Sequence, residues 1–123
     1  LRDKNIVGAT LTLSQVSMDQ EFFDNGRTVA ADWVTYDLPI ALSGLFTIDF
    51  LRTSLVTVTE TLDAGPRTVD VLPAVLGDLA ADRARTQFRL KATGPLTTGL
   101  GEVVFDGTDG DNPPSLTILY RDR

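Results

Sequence analysis

Cysteine and histidine are both absent from this chain of 123 residues. Without cysteine there is no disulfide, no zinc–thiolate centre and no thiol nucleophile. Without histidine the commonest general base and the commonest transition-metal ligand are missing together. Basic residues are in deficit: 11 Lys and Arg against 17 Asp and Glu leave a net charge of -6. Nucleic acid is therefore not an expected partner, because its phosphates call for a basic footprint. No apolar run approaches the roughly 18 residues of a membrane-spanning helix, so no membrane span is expected. The lack of cysteine leaves the redox compartment open. Leu1 in place of an initiator methionine is expected of a processed product or a piece of a longer protein.

What remains is a composition able to fold. The chain is 42% hydrophobic and 23% charged, inside the range of ordinary folded domains and outside that of disordered ones. Its length suits one domain over residues 1–123, burying roughly two-thirds of the surface of the unfolded chain.

Period-two alternation dominates the pattern. From Asn5 to Val16, Val7, Ala9, Leu11 and Leu13 share one side while Gly8, Thr10, Thr12 and Ser14 share the other, the mark of a half-buried strand. Met18 to Phe23 reads as its continuation or as an irregular crossing. Asp24-Asn25-Gly26 is a turn signal. Arg27 to Tyr36 alternates through Val29, Ala31 and Trp33, and Asp37 to Pro39 breaks the run. Leu45 to Phe50 is dense enough in apolar residues to be covered on both faces. Thr53 to Leu62 reads as a strand with Val56, Val58 and Leu62 inward and Thr57, Thr59 and Thr61 outward, its β-branched content disfavouring helix.

Beyond the turn at Ala64-Gly65-Pro66, Val69 and Val71 point inward from a short strand. Pro73 suits a first helical position, where its missing N–H leaves nothing unpaired. Val75, Leu76 and Leu79 then recur at helical spacing over about two turns. Alternation returns from Thr86 to Ala92 with Phe88 and Leu90 inward. A Gly- and Pro-containing loop covers Thr93 to Gly101. Val103 and Phe105, then Leu116, Ile118 and Tyr120, mark closing strands around the polar loop Asp106 to Pro114. Many short strands with a single helix predict an all-β fold, an antiparallel β-sandwich (jelly roll) with one short helix.

The order of several pieces resembles a known family. An early strand of the type I-x-x-A-x-L-x-L is present as Ile6-Val7-Gly8-Ala9-Thr10-Leu11-Thr12-Leu13. A V-D-V step into a short helix is present as Val69-Asp70-Val71-Leu72-Pro73-Ala74-Val75, with Leu72 where the family usually has Thr. A strand ends in Phe88-Arg89-Leu90, and the chain closes with Phe105-Asp106-Gly107-Thr108-Asp109 and Pro114-Ser115-Leu116-Thr117-Ile118-Leu119-Tyr120. In these pieces, about half of the chain, the sequence resembles the DNRLRE or disaggregatase-related jelly-roll modules, which overlap a family of carbohydrate-binding modules. The strands those modules carry ahead of the first motif have no counterpart here. The resemblance implies a non-catalytic, extracellular or cell-surface module of the kind found beside polysaccharide-degrading domains, although a shared fold does not establish sugar binding.

Four groups of residues bear on function. Trp33 reads as core between sheets rather than as an exposed stacking platform, while Tyr36 is a candidate for ligand contact. Arg83, Arg85, Arg89 and Lys91 share parity. On an unbroken strand they would line one face, either as bidentate receptors for uronic-acid carboxylates or as a solvated surface. Asp106, Asp109, Asp111 and Asn112, interleaved with Gly107 and Gly110, supply hard oxygen ligands of the kind Ca²⁺ takes, although the same composition is ordinary turn chemistry. Asp32, Asp37, Asp49, Glu60 and Asp70 offer carboxylates with no pairing legible from spacing, so no enzyme activity is expected. The expected partner is polysaccharide or, in a second reading, a neighbouring protein subunit of a surface layer, appendage filament or virion that completes the sandwich with a strand.

Overall fold

A central strand of fifteen residues, β1 (Lys4–Met18), carries the larger of two antiparallel sheets. The computed structural model describes residues 1–18, 20–23, 26–36, 48–61, 63–94 and 102–123. Most of the Asp24-Asn25-Gly26 turn, the break at Asp37–Pro39, the start of the Leu45–Phe50 run, Leu62 and nearly all of the Thr93–Gly101 loop lie outside the described residues. On one edge β1 pairs with β4 (Gly65–Asp70). Its other edge is shared end to end: β7 (Ser115–Asp122) takes Lys4 to Thr12, and β6 (Val103–Phe105) takes Gln15 to Met18. The second sheet places β2 (Thr28–Thr35) between β3 (Asp49–Thr59) and β5 (Gln87–Thr93).

Among the described residues two helical segments lie where the chain passes between the sheets: a single turn, α1 (Gln20–Phe23), and the nine-residue α2 (Leu72–Ala80). Ile6, Ala9, Leu11 and Leu13 from β1 meet Val29 and Ala31 from β2, Val58 from β3, Val69 from β4, and Val71 and Val75 at α2. The fold is thus the expected all-β antiparallel sandwich with one short helix of more than a turn.

The alternation departs from expectation where strands bulge. The register between β1 and β7 shifts between Ile6 and Gly8, and that between β1 and β6 between Gln15 and Ser17. Val7 and Val16 are the extra residues, and both stand exposed, while Ile6 takes the inward place expected of Val7. A bulge shifts parity by one, so every earlier side chain changes face. On β3 the same effect buries Thr59 beside Val58. In α2 the inward face is Ala74, Val75 and Asp78, and Leu76 is exposed. Asp70 Oδ1 accepts the Leu72 N–H at 2.9 Å, starting the helix one residue before Pro73 and fixing its rotation.

The two flanks of the sandwich differ. On one, β4 meets β3 through a polar brace. Arg67 Nε donates to Gln15 Oε1 and Thr59 Oγ1, both at 3.2 Å, and the buried Gln15 donates to the Thr61 carbonyl at 2.9 Å. On the other, β5 faces β6 across a gap, and the residues just ahead of β5 face β7. Leu116, Ile118 and Tyr120 pair with Leu11, Ala9 and Ile6, so they share the inward side of their sheet. Yet Leu116 is 42% and Tyr120 53% exposed, as is Leu90 of β5 at 39%.

Candidate functional site

Asp32 sits at the middle of β2, on the face away from Val29, Ala31 and Trp33, because successive strand residues alternate. Its side chain is fully buried. Arg89, its cross-strand neighbour on β5, donates Nη2 at 2.8 Å and Nε at 3.2 Å to Asp32 Oδ2. Lys91 Nζ stands 3.3 Å from Oδ1. The backbone of β3 supplies the last partner: between the pairs Ala31–Val56 and Trp33–Arg52 it carries three residues opposite Asp32 alone. Ser54 at the centre of that bulge has a positive φ of 49° and donates its N–H to Oδ1 at 2.7 Å. Burial pushes the Asp32 carboxyl up, but the Ser54 N–H, the Arg89 guanidinium and the Lys91 ammonium outweigh it and hold the group below the usual carboxylate range. Arg89 also lies over the ring of Phe50, 4.5 Å from its centroid, reaching back across β2 towards β3.

A second buried carboxylate lies on the inner side. Asp78 of α2 accepts the Trp33 indole N–H at 3.1 and 3.2 Å and pairs with Arg83 Nη1 at 3.0 Å. Arg83 sits over the Trp33 ring, 5.9 Å from its centroid. Trp33 is therefore packed against α2 and is not a stacking platform.

The four basic residues do not form one face. β5 begins at Gln87, so Arg83 and Arg85 precede the strand and its alternation does not reach them. Arg83 serves Asp78 on the inner side, and Arg89 and Lys91 serve Asp32 on the outer side. Exposed Arg85 has no ion-pair partner among the described residues. Tyr36 is half-buried just past β2, where its backbone N–H donates to Gln87 Oε1 and its carbonyl accepts from Gln87 Nε2.

The acidic loop is organised by its own backbone. Asp106 Oδ2 accepts the Asn112 N–H at 3.1 Å, and the Asp106 N–H ties the loop to the Ser14 carbonyl at 2.8 Å. Gly110 leaves room for the Asp106 carboxyl, which a Cβ there would meet at 2.7 Å. Asp109, Asp111 and Asn112 point to solvent, and among the described residues no three acidic, histidine or cysteine side chains converge as a metal site.

Two depressions lie along the open flank. One, of about 270 Å³, runs between the sheets against Phe22, Val29, Leu90, Ala92, Val103 and Phe105. The other, of about 220 Å³, has walls of Val75, Leu79, Leu116 and Ile118 and a rim of Arg83 and Arg85. Asp32 and Asp78 as buried anchors were missed in the sequence. The available signals were a carboxylate inside an apolar strand run, Ala30-Ala31-Asp32-Trp33-Val34, and one three residues after Val75 on a helix.

Comparison with protein-family models, with curated proteins and with solved structures finds no match to the chain.

Proposed function

We propose that this protein is a non-catalytic β-sandwich module that works by association, its open flank closed by an extended strand from a neighbouring chain, as in a subunit of a surface layer, appendage or virion. The observation that carries this reading is the row Leu116, Ile118 and Tyr120. These side chains face the side of their sheet that elsewhere forms the core, yet Leu116 and Tyr120 are about half exposed. Strand addition supplies main-chain hydrogen bonds to an edge while alternate side chains fill the space between the sheets. Polysaccharide recognition has less support, because the four basic side chains do not form one face: Arg83 lies with Asp78 on the inner side, and Arg89 and Lys91 with Asp32 on the outer.

The purified chain is expected to self-associate or to be unstable alone, with Leu116→Lys and Tyr120→Lys reducing the association. Light scattering that finds a stable monomer would overturn the reading. Retention of such a monomer on polysaccharide gels, lost in Arg85→Ala, would put the carbohydrate-binding role in its place.

A further inference from the structure

Two edges border the open flank, β5 in one sheet and β6 with β7 in the other, and the charge around β5 singles it out and constrains what an added strand carries. Proteins commonly guard an edge strand with charged side chains that make pairing unfavourable. β5 has such residues, Arg89 and Lys91, but both are drawn inward onto the buried Asp32. Arg89 is held further from the edge by its contact with Phe50. Among the described residues the two cations share one carboxylate, and exposed Arg85 lies just ahead of the strand. Three basic side chains among the described residues, Arg85, Arg89 and Lys91, thus stand against the single carboxylate of Asp32 about one edge of a chain whose net charge is -6. Among the described residues no strand pairs with that edge.

We infer that β5 docks an acidic extended segment, about seven residues long to match Gln87–Thr93, with apolar side chains alternating with Asp or Glu. The apolar positions would lie beside Phe88, Leu90 and Ala92 and enter the gap lined by Val103 and Phe105. The acidic positions would fall on the opposite side, beside Arg89 and Lys91, since residues two apart share a face. Opposite charges in adjacent strands favour the pairing, and like charges oppose it. The inference rests on the association reading above and adds to it the edge used and the chemistry of the partner.

Three labelled nine-residue peptides test it against the full chain: Val and Ile alternating with Glu, with Thr, or with Lys. Fluorescence polarisation reads affinity, and hydrogen exchange locates the contact. The Glu peptide is expected to bind about fivefold or more tighter than the Thr peptide at low salt, the Lys peptide least, and the preference should fade towards 1 M salt. Amides of β5 should gain protection. Arg85→Glu, an exposed change away from both buried carboxylates, should weaken the Glu peptide about two- to fivefold and leave the Thr peptide unaltered. Equal binding of Glu and Thr peptides would overturn the acidic partner while leaving the association reading standing. Protection at β6 or β7, or at β3 or β4, in place of β5 would overturn the choice of edge. Failure of all three peptides, with a chain that is monomeric, would overturn both proposals.

Discussion

At the scale of single residues, Asp32 shows how a carboxylate can be retained inside a sheet. Removing a charge from water is costly, and the cost is offset only where every partner is in place. Here two cations and a backbone N–H surround it. The folded state holds the carboxyl below its ordinary value, so it binds fewer protons than the unfolded chain. Its contribution to stability is accordingly complete above the unfolded value of about 4 and is lost as pH falls through the lower folded value. Asp32→Asn, similar in shape but unable to ionise, is expected to cost about 3 kcal/mol at neutral pH. Urea titrations should show the two proteins converging as pH drops below about 4; a constant difference down to the lowest accessible pH would refute this account.

Among the elements, α2 and β3 depart most from their intrinsic preferences. Gly77 lies inside α2, where alanine normally favours helix by about 1 kcal/mol. The Trp33 ring occupies the space instead: a Cβ at Gly77 would meet Cζ2 at 2.8 Å, with Cη2 nearer still. That ring is held by its bond to Asp78, so it has little freedom to move aside. Gly77→Ala is therefore expected to destabilise by about 1–3 kcal/mol, as overpacking does, and a raised melting temperature would show that the ring yields. In β3 the positive φ of Ser54 is unfavourable for a residue with a Cβ. It persists because the bulge turns the Ser54 N–H onto Asp32, so a local irregularity completes a distant charge cluster.

Over the whole molecule the asymmetry of the flanks matters most. The β3–β4 side is braced by Arg67, Gln15 and Thr59, whereas the β5 side leaves inward-facing apolar residues in water. Leu11 and Leu116 are direct cross-strand partners and provide an internal comparison. Leu11→Ala should cost about 2–5 kcal/mol, as a buried leucine does. Leu116→Ala, measured on dissociated chains at low concentration, should cost only about 0.5 kcal/mol. Equal losses would mean that the flank is closed within the chain. Under the association reading proposed above, recognition falls to an edge, not to a cluster of converging polar groups.

The architecture was legible in the chain alone: alternation in β1, β2, β5 and β7, one helix entered near Pro73, and an absence of Cys and His that excludes disulfides and thiolate or imidazole chemistry. These are legible because each depends on local periodicity or on composition. Folding in three dimensions was needed to show which side chains the bulges at Val7 and Val16 expose, and that Asp32 and Asp78 divide Arg83, Arg89 and Lys91 between opposite sides of one sheet. The fold likewise leaves Leu116 and Tyr120 exposed on the inward side of their sheet. Each of these outcomes depends on register and on contacts between residues far apart in the chain, and a one-residue shift in pairing, invisible to composition, exchanges the buried and exposed faces of a strand.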